Sequence, residues 1–264
     1  MVLWKGINML TKIKEVRIPR KNIYRGNLIL VNQEHPYREE TQKVVMYPVQ
    51  EFTPELVLER HSQIILHELL DQIEGWSSIQ PISGWRSREE QVAIWNQALL
   101  EHGENYTRTY VAKPGHSEHQ TGLAIDLGLK QEYMDFICPE FPYEGICQKF
   151  RELAPKFGFV EHYPKGKEHI TGIGHEPWHF RYVGVPHAQL MTELELTLEE
   201  YMEYLMTFSY GENPLKVQVN GTHIEIGHVW AKPQKDTSFY VEPNIAYNIS
   251  GTNIEGFIIT TWRL

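Results

Sequence analysis

Cysteine is scarce in this chain: two residues, Cys138 and Cys147, in 264. Two thiols cannot staple a disulfide scaffold, and their spacing fits no thiolate zinc pattern. Both are read as reduced. Long apolar runs are missing too. The N-terminus carries Lys5, Lys12, Lys14, Arg17, Arg20 and Lys21 with no apolar stretch between them. A secretory leader needs roughly 7–15 consecutive apolar residues, and a membrane-spanning helix about 20. Neither occurs, so the expected location is the cytoplasm, with no membrane insertion. Basic blocks are absent as well, and the formal net charge of -9 disfavours a nucleic-acid partner. There is no repeat or low-complexity tract. What remains, 41% hydrophobic and 22% charged, is ordinary globular composition, long enough for one large domain or two small ones. Oligomeric state is not legible.

Local patterns place the elements. Residues 1–50 read as an irregular or strand-rich lead-in, with a short strand at Asn27-Leu28-Ile29-Leu30-Val31. A helix is expected from Thr53 as N-cap, with Pro54 at its first position, to Ile73 before Gly75. Ile79 to Ser83 is a strand that Pro81 confines to an edge. Ser87-Arg88-Glu89-Glu90 is a capping box, opening a helix over 88–102 that Gly103 stops. Residues 104–118 read as a polar active loop. Gly122 to Leu129 alternates, with Leu123, Ile125, Leu127 and Leu129 on one face and Ala124, Asp126 and Gly128 on the other. Gly145 to Phe157 is helical up to Pro155, His179 to Val183 is a strand, and Thr197-Leu198-Glu199-Glu200 caps a helix to about Phe208. From Asn213 the helical period disappears. Val217 and Val219, then Asn220-Gly221, then Ile224 and Ile226, form a hairpin pattern. Further strands are expected at Ser238–Val241 and Gly256–Thr261. The fold class is α+β, divided into a catalytic unit over 1–211 and a small all-β appendage over 212–264.

Two stretches carry chemistry. Ser117-Glu118-His119-Gln120-Thr121-Gly122-Leu123-Ala124-Ile125-Asp126 and Glu176-Pro177-Trp178-His179 supply two imidazoles and one carboxylate as metal ligands: His119, Asp126 and His179. Three protein ligands with an open fourth position is how zinc is held for catalysis. Glu176, three residues before His179, sits where a general base belongs. Each residue alone is unremarkable; the conjunction points to a hydrolase. Trp178 is either core or a pocket wall that touches substrate. His116 either binds substrate or orders its loop. His175 is read as structural or exposed, and His223 and His228 as surface residues of the hairpin.

Ser-x-His-x-x-Gly-x-Ala-x-Asp followed by Glu-x-Trp-His resembles the zinc D-alanyl-D-alanine peptidase family, which shares its fold with the Hedgehog signalling domain. Ser83-Gly84-Trp85-Arg86-Ser87 and the segment from Tyr163-Pro164-Lys165-Gly166-Lys167 to Gly184 look like that family too. The resemblance covers roughly residues 25–205 and is nearest to the bifunctional D,D-dipeptidase/D,D-carboxypeptidase (VanXY) type of vancomycin-resistance clusters. It implies one zinc ion on His119, Asp126 and His179, Glu176 as base, Arg86 as transition-state stabiliser, and Ser117 and Gln91 as substrate contacts. The implied substrates are D-Ala-D-Ala and UDP-muramyl pentapeptide, and the implied consequence is vancomycin resistance. Lys113, Lys165 and Lys167 are candidates for a positive rim that meets the nucleotide. Two rivals remain: a general peptidoglycan carboxypeptidase or endopeptidase, and a zinc-containing binding protein of the same fold. Acceptance of D-Ala-D-Ser and the balance of the two activities depend on loop shape.

Overall fold

The computed structural model describes residues 13–38, 44–132, 138–219 and 221–263. Its centre is a four-stranded antiparallel sheet. The strands are β4 (Ile79–Ser83), β5 (Ala124–Leu129), β6 (Phe159–Glu161) and β7 (His179–Tyr182), in the order β4-β5-β7-β6. The alternation read in β5 decides its two faces. Ile125 and Leu127, with Phe180 of β7, enter an apolar cluster with Leu66, Leu69, Leu70 and Phe150. Those partners come from α1 (Arg60–Gln72) and α3 (Gly145–Leu153). Each fully buried Leu, Ile or Phe of this layer stabilises by about 1.5–3 kcal/mol. Asp126, His179 and Arg181 stand on the opposite face. The register sets Asp126 directly across from His179, and Ser83 across from Asp126. β4 is an edge strand, and its pairing is irregular between Pro81 and Ser83, as Pro81 requires.

Residues 53–59 are not helical. They form β3 (Thr53–Glu59), paired with β2 (Met46–Gln50), and the helix starts only at Arg60. The Thr53-Pro54 signal sits at a hairpin turn, where Thr53 faces Gln50. Strand pairing buries Val49 and Leu58 completely, a tertiary gain that outweighs a local helix-start preference. The true cap is Glu59, whose carboxylate accepts from the backbone N–H of His61 and Ser62 at 2.9 and 3.0 Å.

Residues 27–31 form no strand, although Leu28, Ile29, Leu30 and Val31 are all buried. Their backbone groups find other partners: Leu28 N–H donates to Ser250 Oγ, Leu30 N–H to the Thr252 carbonyl, and the Leu30 carbonyl accepts from Asn253. A buried chain needs its polar groups satisfied, not a ladder as such.

The capping box of α2 (Arg88–Tyr110) is formed by Ser87 and Glu90. Gly103 breaks the helical conformation at φ 80°, yet the helix resumes beyond it to Tyr110. The expected loop therefore begins only at Val111. Thr107 Oγ1 donates to the Gly103 carbonyl at 2.9 Å and helps restart the turn. The remaining α-helices are α4 (Glu168–Thr171), α5 (His187–Glu193) and α6 (Leu198–Met206). Thr197 and Glu200 cap α6 as expected.

Beyond α6 the regular elements of the described residues are all strands. β8 (Leu215–Val219), β9 (Thr222–Trp230), β11 (Ala246–Gly251) and β12 (Gly256–Arg263) form a second sheet in the order β11-β12-β9-β8. The β8–β9 hairpin closes with Val219 across from Thr222 and Gly221 at φ 79°. Asn220 lies outside the described residues. β10 (Thr237–Val241) pairs with the N-terminal β1 (Lys14–Ile18). Ile224, Ile226 and Ile258 share one apolar cluster with Leu28, Val160, Met191, Tyr201 and Leu205. His228 is not a surface residue: it is buried, and its pKa is pushed down to about 4 by that burial. Its side chain turns inward on β9, against Gly256 of the neighbouring strand. His223 is exposed as expected.

Candidate metal centre and catalytic cleft

A cleft opens on the polar face of the central sheet, lined by residues between 83 and 179. His119 enters it from a 3-10 turn, Glu118–Thr121, which Gly122 ends at φ 75°. The His119 ring is aimed by a carbonyl. Its Nδ1 donates to the Gly84 carbonyl at 2.7 Å, so Nε2 keeps its lone pair, 3.2 Å from Asp126 Oδ2. Gly84 is glycine for close approach, because a methyl there would run into the Val57 carbonyl oxygen. Ser83-Gly84-Trp85-Arg86 thus lies tight against β3, with Trp85 N–H donating to that carbonyl at 2.7 Å.

Asp126 and His179 meet because they are cross-strand neighbours. His179 Nδ1 is 3.0 Å from Asp126 Oδ1, and its Nε2 is 3.1 Å from Glu118 Oε2. The His119 and His179 rings meet edge to face at 5.1 Å, and Tyr163 stacks on His179 at 4.6 Å. The donor atoms of His119, Asp126 and His179 converge closely enough to hold one ion, and all three residues are buried. Two imidazoles and a carboxylate beside a cleft suit zinc.

Electrostatics fit that use. Burial pulls the His119 imidazole below its ordinary value, and the neighbouring Arg86 charge adds to this, leaving it neutral. Burial works against the Asp126 charge, but His119 and His179 outweigh it and hold the carboxyl below the usual range. Burial works against charge on His179 too, yet Asp126 and Glu118 raise its pKa to about 9. A proton thus occupies this acidic pair wherever a cation does not. Glu176 behaves in the opposite way. It lies 3.9 Å from His179 Nδ1, and burial pushes its carboxyl up to about 8.

Arg86 crosses the cleft floor. Its Nη2 is 3.3 Å from Asp126 Oδ2 and its Nη1 donates to Gln91 Oε1 at 3.3 Å. Its Nε is buried without a partner. Gln91 is 1% exposed, and its amide also donates to the Ala112 carbonyl at 2.8 Å, so it steadies Arg86 as well as lining the cleft. Ser117 and Trp178 line the same cleft, and Trp178 also packs against the core. His116 orders its loop through the Asn32 carbonyl at 2.7 Å. His175 meets the Tyr143 hydroxyl. Of the expected positive rim, Lys167 is held by both oxygens of Glu200 at 2.9 Å, while Lys113 and Lys165 are exposed.

Sequence reasoning passed over Glu118, His162 and Arg181. Arg181 is wholly buried and ion-paired to Glu118, whose other oxygen meets His162 at 2.8 Å. The period-2 pattern of β7 was the available signal, since it sets Arg181 on the same face as His179.

Residues 62–185 match the VanY family, described as D-alanyl-D-alanine carboxypeptidase. The bifunctional D-Ala-D-Ala dipeptidase and D-Ala-D-Ala carboxypeptidase VanXYC of Enterococcus gallinarum is 43% identical over 184 residues, 68% of this chain and 95% of that relative. The crystal structure of the vancomycin-resistance D,D-dipeptidase VanXYg, in complex with a D-Ala-D-Ala phosphinate analogue, superposes with a TM-score of 0.91 at 45% identity. It covers 95% of this chain and 99% of that one. A mutant of the vancomycin-resistance D,D-pentapeptidase VanY from a VanB-type cassette, in complex with Zn(II), has a TM-score of 0.55 at 28% identity, covering 67% and 98%. The chain belongs to the VanY family of D-alanyl-D-alanine peptidases, with the Hedgehog/D,D-peptidase-like α+β fold.

Proposed function

We propose that the protein is a zinc metallopeptidase that hydrolyses D-Ala-D-Ala and removes the C-terminal D-Ala from pentapeptide precursors of peptidoglycan, thereby conferring vancomycin resistance. The observation that carries this is the pairing of Asp126 with His179 across β5 and β7, with His119, Glu176 and Arg86 in the same cleft. One ion per chain is held by His119, Asp126 and His179. When bound, zinc supplies a Lewis acid that acidifies water and polarises the scissile carbonyl.

The chain's own residues do the rest. Glu176 takes the proton of the attacking water and passes it to the amine of the departing D-Ala as the peptide C–N bond breaks. A carboxyl raised towards neutral pH by burial is suited to both transfers. Arg86, whose side chain is only partly buried in the cleft lining, offers its positive charge and guanidinium N–H groups to the oxyanion that develops on the carbonyl oxygen. Ser117, Gln91 and Trp178 bound the substrate. UDP-muramyl pentapeptide is the larger substrate, met by Lys113 and Lys165 at the rim, and the cytoplasm is where that precursor is made available. Among the described residues no helix is long and apolar enough to cross a membrane. The catalytic unit is assigned to residues 1–211, and residues 212–264, whose described residues contribute nothing to the cleft lining, are assigned as a buttress.

The test is D-Ala release from the dipeptide and from UDP-muramyl pentapeptide, alongside metal analysis. Both substrates should release D-Ala at one zinc per chain, chelation should abolish release, and added zinc should restore it. A zinc-loaded protein inert towards the dipeptide refutes the reading.

A further inference from the structure

The two edges of the His179 ring face two different clusters. Nδ1 looks to Asp126 and His119 across the cleft; Nε2 looks to Glu118 and His162 behind it. Either trio has the residue types and spacing to hold a metal. A ring that gives one nitrogen to a metal keeps its proton on the other, so the two uses of His179 exclude each other.

The rear cluster is already filled from within the chain. Glu118 Oε1 is ion-paired to Arg181 Nη1. Arg181 Nη2 is fixed by the carbonyls of Asn27 and Ile29 at 2.9 and 3.0 Å. Glu118 Oε2 accepts from His162 Nδ1 at 2.8 Å and from His179 Nε2 at 3.1 Å. His162 in turn reaches Glu199 Oε2 at 3.3 Å, and Asn32 holds the other oxygen of Glu199 at 3.2 Å. Ionised carboxylates only accept hydrogen bonds, so both His162 nitrogens donate and neither has a lone pair for a metal. His162 does not line the cleft, whereas His119, Asp126 and His179 do. The rear trio therefore offers no open coordination position.

We infer that Glu118 is a positioning residue of the metal centre: it accepts the Nε2–H of His179, commits Nδ1 to the metal, and is itself held charged and oriented by Arg181 and His162. The inference rests on His119, Asp126 and His179 being the ligands. It adds an outer layer that runs from the ligand ring through Glu118 and His162 to Glu199 at the start of α6. A carboxylate behind a metal-bound histidine fixes its tautomer and raises its basicity, and loss of such a partner typically weakens metal binding by about 10–100-fold.

Glu118→Gln removes the charge at nearly constant volume. Its zinc affinity, measured by competition with a chromophoric chelator, should fall by about 10–100-fold. Because this variant strands Arg181, the double variant Glu118→Gln/Arg181→Met is measured beside it, and folding of each zinc-free protein is followed by circular dichroism. Nitrogen-15 NMR of the unsubstituted zinc-loaded protein should show the His179 proton on Nε2 and the metal on Nδ1; that reading needs no variant to fold. Unchanged zinc affinity in a folded variant, or a proton on Nδ1, overturns the role of Glu118. His119→Ala separates the two layers: if it binds zinc as tightly as the unsubstituted protein, the ligand assignment itself is wrong.

Discussion

Replacing Glu176 by Gln should abolish most catalysis and, in the zinc-free protein, make the fold more stable. Burial pushes the Glu176 carboxyl from its ordinary 4.5 up to about 8. In the unfolded chain at pH 7 this group is ionised, so folding must return a proton to it. Linkage sets the cost at about 1.4 kcal/mol per pH unit above the unfolded pKa, hence about 3 kcal/mol at pH 7. The sign is opposite to that of a salt-bridged carboxylate: the penalty is absent below about pH 4.5, grows through neutrality and levels off above about pH 8. Gln fills the same space without a titrating proton and escapes the penalty. Urea unfolding of zinc-free Glu176→Gln and unsubstituted protein should agree near pH 4.5 and diverge by about 3 kcal/mol at pH 7, or roughly 6–12 °C in Tm for a chain of this size. Zinc loading should shrink the gap, since a nearby cation favours the carboxylate. Turnover should drop by about 10²–10⁴-fold with zinc retained. A Glu176→Gln protein no more stable than its parent at pH 7 would refute the idea that this carboxyl is strained by burial. Full turnover would refute its role as base.

Three further outcomes follow from named contacts. Arg86→Ala should lower kcat for dipeptide hydrolysis by about 10²–10³-fold, the usual cost of one oxyanion donor; an unchanged kcat removes Arg86 from the chemistry. His187 is buried between the Tyr201 hydroxyl and Thr260 Oγ1, each at 3.0 Å, and burial pushes its pKa down to about 3. Its neutral form stabilises the fold above the ordinary value of 6.5, and that contribution is lost as pH falls towards 3. It should cost about 2 kcal/mol by pH 5, and His187→Gln should flatten the pH 7-to-5 slope in urea titrations. Gly84→Ala should disturb the centre at a distance, by forcing the segment that carries Arg86 and the His119 carbonyl partner away from Val57. Weaker zinc binding together with a lower Tm is expected, and normal values of both would show that the close approach is dispensable.

The legible parts of the fold were those with strong local physics. The capping boxes at Ser87 and Thr197, the alternation of β5 and the Pro81 edge strand are all written in residues a few positions apart. Two failures share one cause. Residues 53–59 carry a helix-start signal but pair with β2, and residues 27–31 look like a strand but are held by side chains from residues about 150–220 positions away. His228 is a different case: period 2 sets it on the same face as Ile224 and Ile226, and directly across from Ile258, so the strand pattern already pointed it towards the cluster those residues form with Leu28, Tyr201 and Leu205.

By itself the sequence determined which residues have the chemistry for a metal and a base. Ligand identity is a property of side-chain donors, and spacing in a motif limits where those donors sit. Only the tertiary structure decided which atoms face one another. The β5–β7 register, set by side-chain alternation and backbone pairing, places Asp126 opposite His179. The close packing of Gly84 on Val57 lets a carbonyl choose the His119 nitrogen. Arg181, Glu118 and His162, drawn from three separate segments, close behind His179 because buried charges must find partners.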